Sequence, residues 1–165
     1  MEPQGTLKAS MVLETTAAAT ERVRCFLLPL PDRRGYLFAL CDIRATGTHS
    51  RPVLSLLEEQ LTRTAQTMEV TAHALHRFEQ MVEAINEQLR HASESAGWTL
   101  PAASVHALLG LMTDTHLSVT GTGDLCALYL HRNDDQRYHV YNLFRGIQTE
   151  QSSPQWSKLF SVMLD

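Results

Sequence analysis

Eight histidines, three cysteines and a few isolated carboxylates are the side chains of this 165-residue sequence that could do chemistry. His73 and His76 are the closest histidine pair, three positions apart. No acidic or cysteine ligand shares an evident spacing with them, so the pattern does not favour a metal site. His49, His91 and His131 read as solvated positions, while His106, His116 and His139 alternate with apolar residues and are expected half-buried. Cys25, Cys41 and Cys126 form no CxxC pair and each sits in an apolar stretch. They read as small buried hydrophobes in a reduced compartment. Gly121-Thr122-Gly123 lacks the third glycine of a dinucleotide fingerprint and is followed by a strand pattern, so a hairpin turn is expected there. No GxSxG nucleophile elbow occurs. Glu14 and Glu21 lie near the first strand pattern, but Asp42 is the carboxylate in the most demanding place. It closes an apolar run, where a charge must face a metal, a cation or a helix N-terminus, or cap the loop that follows.

The elements that position Asp42 follow from periodicity. Arg22 to Leu28 alternates, Asp32-Arg33-Arg34-Gly35 is a turn, and Tyr36 to Cys41 is nearly continuous apolar chain, so a hairpin with a central second strand is expected. After a loop from Arg44, Pro52 marks the first turn of a helix. Leu54, Leu57, Leu61, Ala65 and Met68 recur at helical spacing, with Glu58, Glu59, Gln60, Arg63 and Gln66 largely opposite. A second stripe, Leu75, Phe78, Val82, Ile85 and Leu89, predicts a second helix ending near Ala96-Gly97. Val105–Met112, Leu117–Val119, Leu125–His131 and Tyr138–Phe144 are strand-like and separated by turn residues, which predicts an antiparallel meander. The order ββ–αα–ββββ is an α+β fold: antiparallel sheet with a packed αα hairpin. Residues 1–20 read as an N-terminal segment in which Leu7 to Leu13 could form an edge strand, and 21–165 as one domain. The apolar segment Trp156 to Asp165 stops abruptly, so the domain is expected to continue past Asp165.

Composition excludes several classes. The formal charge of −4 is the wrong sign for a nucleic-acid or membrane-surface binder. A hydrophobic fraction of 44% with 19% charged residues fits a packed core and not a disordered chain. No run approaches the roughly 18 apolar residues of a membrane span, and no leader pattern opens the chain. A cytoplasmic protein is the expectation.

Two segments, with this layout, carry a resemblance. Gly35 to Gly47 (GYLFALCDIRATG) is similar to the strand and loop of the metal-dependent type 2C protein phosphatases, where a hydrophobic strand delivers Asp-Gly-His-Gly-Gly to a binuclear metal site. Leu117 to Arg132 (LSVTGTGDLCALYLHR) resembles that family's strand–Gly-Asp-Ser–strand hairpin, and two helices lie between, with Asn86 late in the second. The resemblance spans residues 20 to 165 and implies part of an α/β/β/α sandwich. It implies Asp42 as a metal ligand, Glu21 as a second, and Arg44, Gly123 and Asp124 as motif positions of structural weight.

The departures from the family pattern set the functional expectation. Where the family has a Glu-Asp pair this chain has Glu21-Arg22, and the Gly and His after the strand aspartate are Ile43 and Arg44. A cation about 5 Å from a divalent ion, at an effective dielectric near 20, is repelled by roughly 6–7 kcal/mol before screening. Two such cations outweigh one or two carboxylates, and Arg44 is instead placed to pair with Asp42. The expectation is a catalytically impaired, phosphatase-like module that acts by binding a protein partner, with no cofactor. The alternatives are a working Mg²⁺- or Mn²⁺-dependent serine/threonine phosphatase with its other ligands downstream, and a structural interaction domain unrelated to phosphoryl chemistry.

Overall fold

The computed structural model describes residues 9, 10, 12, 22–44, 50–96, 104–123, 125–132, 135–145 and 160–163. The first two strands, β1 (Val23–Pro29) and β2 (Gly35–Ile43), pair antiparallel with Val23 opposite Asp42. Their turn is closed by Leu30 and Gly35, with Arg33 at φ 57°. Asp32 in that turn accepts from the backbone N–H of Arg34 at 3.1 Å and of Val70 at 2.7 Å, tying the hairpin to the loop between the helices.

Helix α1 (Ser50–Thr67) buries the expected stripe of Leu54, Leu57, Leu61 and Ala65, with Met68 buried just beyond its end. In helix α2 (Ala74–Ala96) the buried line is Ala74, Phe78, Met81, Ile85 and Leu89. Leu75 is 39% exposed, a correction to the expected stripe. Ala74 and Met81 lie four before and three after Phe78, so they share its face, and that line enters the core one position round from the one through Leu75. Gln60 is also on the buried side and donates to Gln88 across the helix pair at 2.9 Å, so an expected surface residue becomes an interhelical polar contact.

Strands β3 (Val105–Thr113) and β4 (His116–Thr122) extend the first sheet, and β7 (Phe160–Met163) pairs on β4. The order is β1-β2-β3-β4-β7, antiparallel throughout. β5 (Cys126–Arg132) and β6 (Tyr138–Arg145) form a separate two-stranded sheet. The expected meander is therefore broken between β4 and β5, and Thr120 to Gly123 is no hairpin turn. β4 runs on to Thr122, and Gly123 at φ 78° turns the chain off the sheet. A Cβ there would lie 2.6 Å from the Val105 carbonyl, so glycine alone permits the exit beside β3. Of Leu7 to Leu13 only Ala9, Ser10 and Val12 are described, none in a strand.

Alternation along β2 sorts its side chains onto two faces. Leu37, Ala39, Cys41 and Ile43 join Ala107, Leu109 and Leu111 against the helices. Phe38 and Leu40 join Leu108, Val119 and Leu117 on the other face, where Leu143, Ala127, Tyr129 and Leu125 cover them from the second sheet. The result is α+β in three layers: helix pair, five-stranded sheet, β-hairpin. β2 is covered on both sides, as its apolar run requires.

Candidate functional site

Asp42 belongs to the β2 face that looks toward β5 and β6, the face of Phe38 and Leu40. Its cross-strand neighbours are Val23 on β1 and His106 on β3. His106 is 3% exposed and the Asp42 side chain 14%, so this corner of the sheet sets a carboxylate beside a buried imidazole. The ladder continues past the strand ends: Ile43 N–H donates to the Arg22 carbonyl at 3.0 Å, and Arg44 N–H to the Ser104 carbonyl at 2.7 Å. These bonds hold the backbones of Arg22 and Arg44 alongside Asp42.

Both arginines turn back onto the one carboxylate. Arg44 Nε donates to Asp42 Oδ2 at 2.8 Å, and Arg22 Nε lies 3.1 Å from Oδ1. Oδ1 is buried and accepts no aligned hydrogen bond, so its contact with Arg22 is Coulombic. The arginine side chains are 45% and 48% exposed. A mostly buried anion is thus clasped by two half-exposed cations. The expected Arg44–Asp42 pair is present; the second clasp, by Arg22, comes from across the hairpin. Ile43 does not crowd this corner, because its side chain is buried on the opposite, helix-facing side.

This arrangement does not fit a divalent metal. Such an ion needs several oxygen ligands, and each Asp42 oxygen already faces a guanidinium. Among the described residues no group of three or more histidines, cysteines or acids is placed to hold a metal. Glu21 and Asp124 lie outside the described residues, and Gly123 serves the chain path: a Cβ there would meet His106 Nδ1 at 2.7 Å. His73 and His76 are exposed, and His76 contacts Gln80 at 3.1 Å and Glu79 at 3.7 Å on its own helix. Asn86 is on the exposed side of α2.

None of the three cysteines is in a disulfide. Cys41 is fully buried, and burial first, with nearby Cys25 second, pushes its thiol up to about 12. Burial also raises the Cys25 thiol. Cys126, expected to be buried, is exposed on β5. His116 and His139 are exposed where half-burial was expected, and only His106 of the three is buried.

A concavity of about 440 Å³ lies at the other end of β3 from Asp42, lined by residues of the β3–β4 turn and the loop between the helices. Arg34 grips Asp114 there through Nε at 3.1 Å and Nη2 at 2.6 Å. The sequence offered no sign of this pair, whose members are 80 positions apart, nor of His106 beside Asp42. Only the strand register brings either together. No family model and no curated protein matches the chain. No helix among the described residues is long and apolar enough to cross a membrane.

Proposed function

We propose that this chain is a catalytically impaired module of the type 2C phosphatase kind, acting in the cytoplasm by binding a protein partner and not by hydrolysis. The observation that carries the reading is the double ion pair on Asp42. At the place where that family's strand aspartate would meet a metal, both carboxylate oxygens are taken by arginines. The layering supports the same reading, with an αα pair on one face of an antiparallel sheet and a second sheet on the other. In the α/β/β/α sandwich a further helical layer would cover the outer face of β5 and β6, where Leu128, Leu130 and Val140 are 54–59% exposed. Three thiols outside any disulfide go with a reducing compartment.

Calorimetric titration of Mn²⁺ and an aryl-phosphate assay test the proposal. The expected outcome is no binding in the micromolar range and no hydrolysis above buffer. Micromolar binding, or hydrolysis that disappears in Asp42→Ala, would establish a working metal-dependent phosphatase instead. A gain-of-function arm separates the family reading from an unrelated interaction domain. Arg22→Asp combined with Arg44→His replaces both cations with residues of the family's pattern and is expected to create measurable Mn²⁺ affinity. A folded double variant that still ignores Mn²⁺ would remove the family reading.

A further inference from the structure

We propose that Arg22 and Arg44, pinned by Asp42, form a binding site for a doubly charged tetrahedral oxyanion, inorganic phosphate or a phosphate monoester. The inference stands on the geometry of these three side chains and goes beyond the family reading, whose failure would leave it intact. Each arginine spends its Nε on Asp42, at 3.1 Å from Arg22 and 2.8 Å from Arg44. Neither guanidinium has another hydrogen bond or ion pair to a described residue, and both side chains are about half exposed. Two half-exposed guanidiniums thus share one carboxylate through Nε while no described residue engages their Nη groups, and a guanidinium's planar fork suits bidentate contact with phosphate oxygens.

Asp42 does more than neutralise. Two guanidiniums repel, and free arginine side chains pay rotamer entropy to converge on one ligand. Paired with the two oxygens of a single, mostly buried carboxylate, Arg44 through a hydrogen bond and Arg22 through charge alone, they are brought together before any ligand arrives. The backbone bonds that continue the ladder at Arg22 and Arg44 fix the roots of both side chains. The cluster keeps one net positive charge, on a chain whose overall charge is negative. The charges that make this corner unsuitable for a dication make it attractive to a dianion. A tetrahedral phosphate can present separate oxygens to each fork, whereas a planar carboxylate has only two to share.

Titration of the arginine-labelled protein with sodium phosphate, at ionic strength held constant with chloride, reads the site directly through its Nε–Hε resonances. The expected result is saturable movement of the Arg22 and Arg44 signals, with the other arginines shifting no more than in chloride. N-acetyl-phosphoserine amide should move the same signals if the monoester is a ligand. Movement by inorganic phosphate alone would restrict the site to the free ion. Arg22→Gln and Arg44→Gln should each weaken phosphate about tenfold, the effect of one lost charged hydrogen-bond pair. Arg44→Lys keeps the charge and the pairing with Asp42 but loses the fork, so it should also weaken binding and serves if the glutamine variants fail to fold. Shifts in phosphate that match those in chloride, or Arg44→Lys binding as tightly as the native protein, would overturn the proposal.

Discussion

At the scale of single residues, Asp42 and its two arginines behave as a unit whose parts are not additive. Exposed ion pairs contribute little, about 0–1 kcal/mol, so Arg22→Gln or Arg44→Gln alone should cost no more than that. Removing both leaves a carboxylate that is 14% exposed with no cation at either oxygen, a loss of about 3 kcal/mol or more. Urea unfolding of the two single variants and the double variant should show this excess, and adding Asp42→Asn to the double variant should recover much of it. Simple addition of the single effects would mean that Asp42 is satisfied by other means. Cys41 gives a second test. Its thiol is held neutral by burial, with a folded value near 12 against an ordinary 9.0. The unfolded chain loses that proton first as pH rises, so this contribution to stability is complete below about pH 9 and declines from there to about pH 12, by up to about 1.4 kcal/mol per unit. Cys41→Ala and Cys41→Ser each remove the titrating thiol, so both should flatten the slope, measured against wild type in denaturant at pH 8 and pH 10. At neutral pH iodoacetamide should label exposed Cys126 first and Cys41 only on unfolding.

At the scale of elements, the sheet is held in register by close approaches that a sequence pattern does not announce. Phe38 on β2 faces Gly110 on β3, and a Cβ on Gly110 would fall within the Phe38 ring. The ring lies over the glycine and covers a stretch of backbone that a larger residue would lift away. Gly110→Ala should therefore destabilise by about 2 kcal/mol, as overpacking does. In a Phe38→Ala background the same change should cost almost nothing, since the ring is gone. A double-mutant cycle checks the coupling, and equal effects in both backgrounds would separate the two residues energetically. Gly123 limits its strand differently. Its φ of 78° and the Val105 carbonyl 2.6 Å from where a Cβ would lie both forbid alanine, so Gly123→Ala should disturb the departure toward β5 and the neighbouring His106 signal.

At the scale of the whole molecule, one face stands out by its apolar content. The outer side of the β5–β6 hairpin carries Leu128, Leu130, Val140 and Tyr138, 54–66% exposed, while the inner side stacks Tyr129 on Tyr141 at 5.9 Å. Arg132 over Tyr138, 5.8 Å from the ring centroid, is the one cation–π contact there among the described residues. A strip of this kind on a two-stranded sheet limits solubility. Leu130→Lys with Val140→Glu should raise the concentration at which the protein stays monodisperse on gel filtration, with little change in unfolding midpoint. An unchanged elution profile would show that the strip is not the source of association.

Local pattern determined much of this protein. Two helices, the first hairpin, the strand stretches and the α+β class are written in periods of 3.6 and 2 and in turn residues, because burying one face of an element is a local demand on composition. The Asp42–Arg44 pair was legible for the same reason, its members being two positions apart on one strand end. The rest needed the fold. Whether Gly123 closes a hairpin or sends the chain to a second sheet depends on the neighbouring β3 backbone, not on the turn residues themselves. The Ala74-Met81 line won over Leu75 because the shared core, not the helix alone, decided which face is covered. The resemblance already set Arg22 near Asp42, but its direct pairing with that carboxylate needed the β1–β2 register, and His106 reached Asp42's side only through β2 against β3. Cross-strand partners are set by hydrogen-bond register over tens of residues, and no local period encodes them.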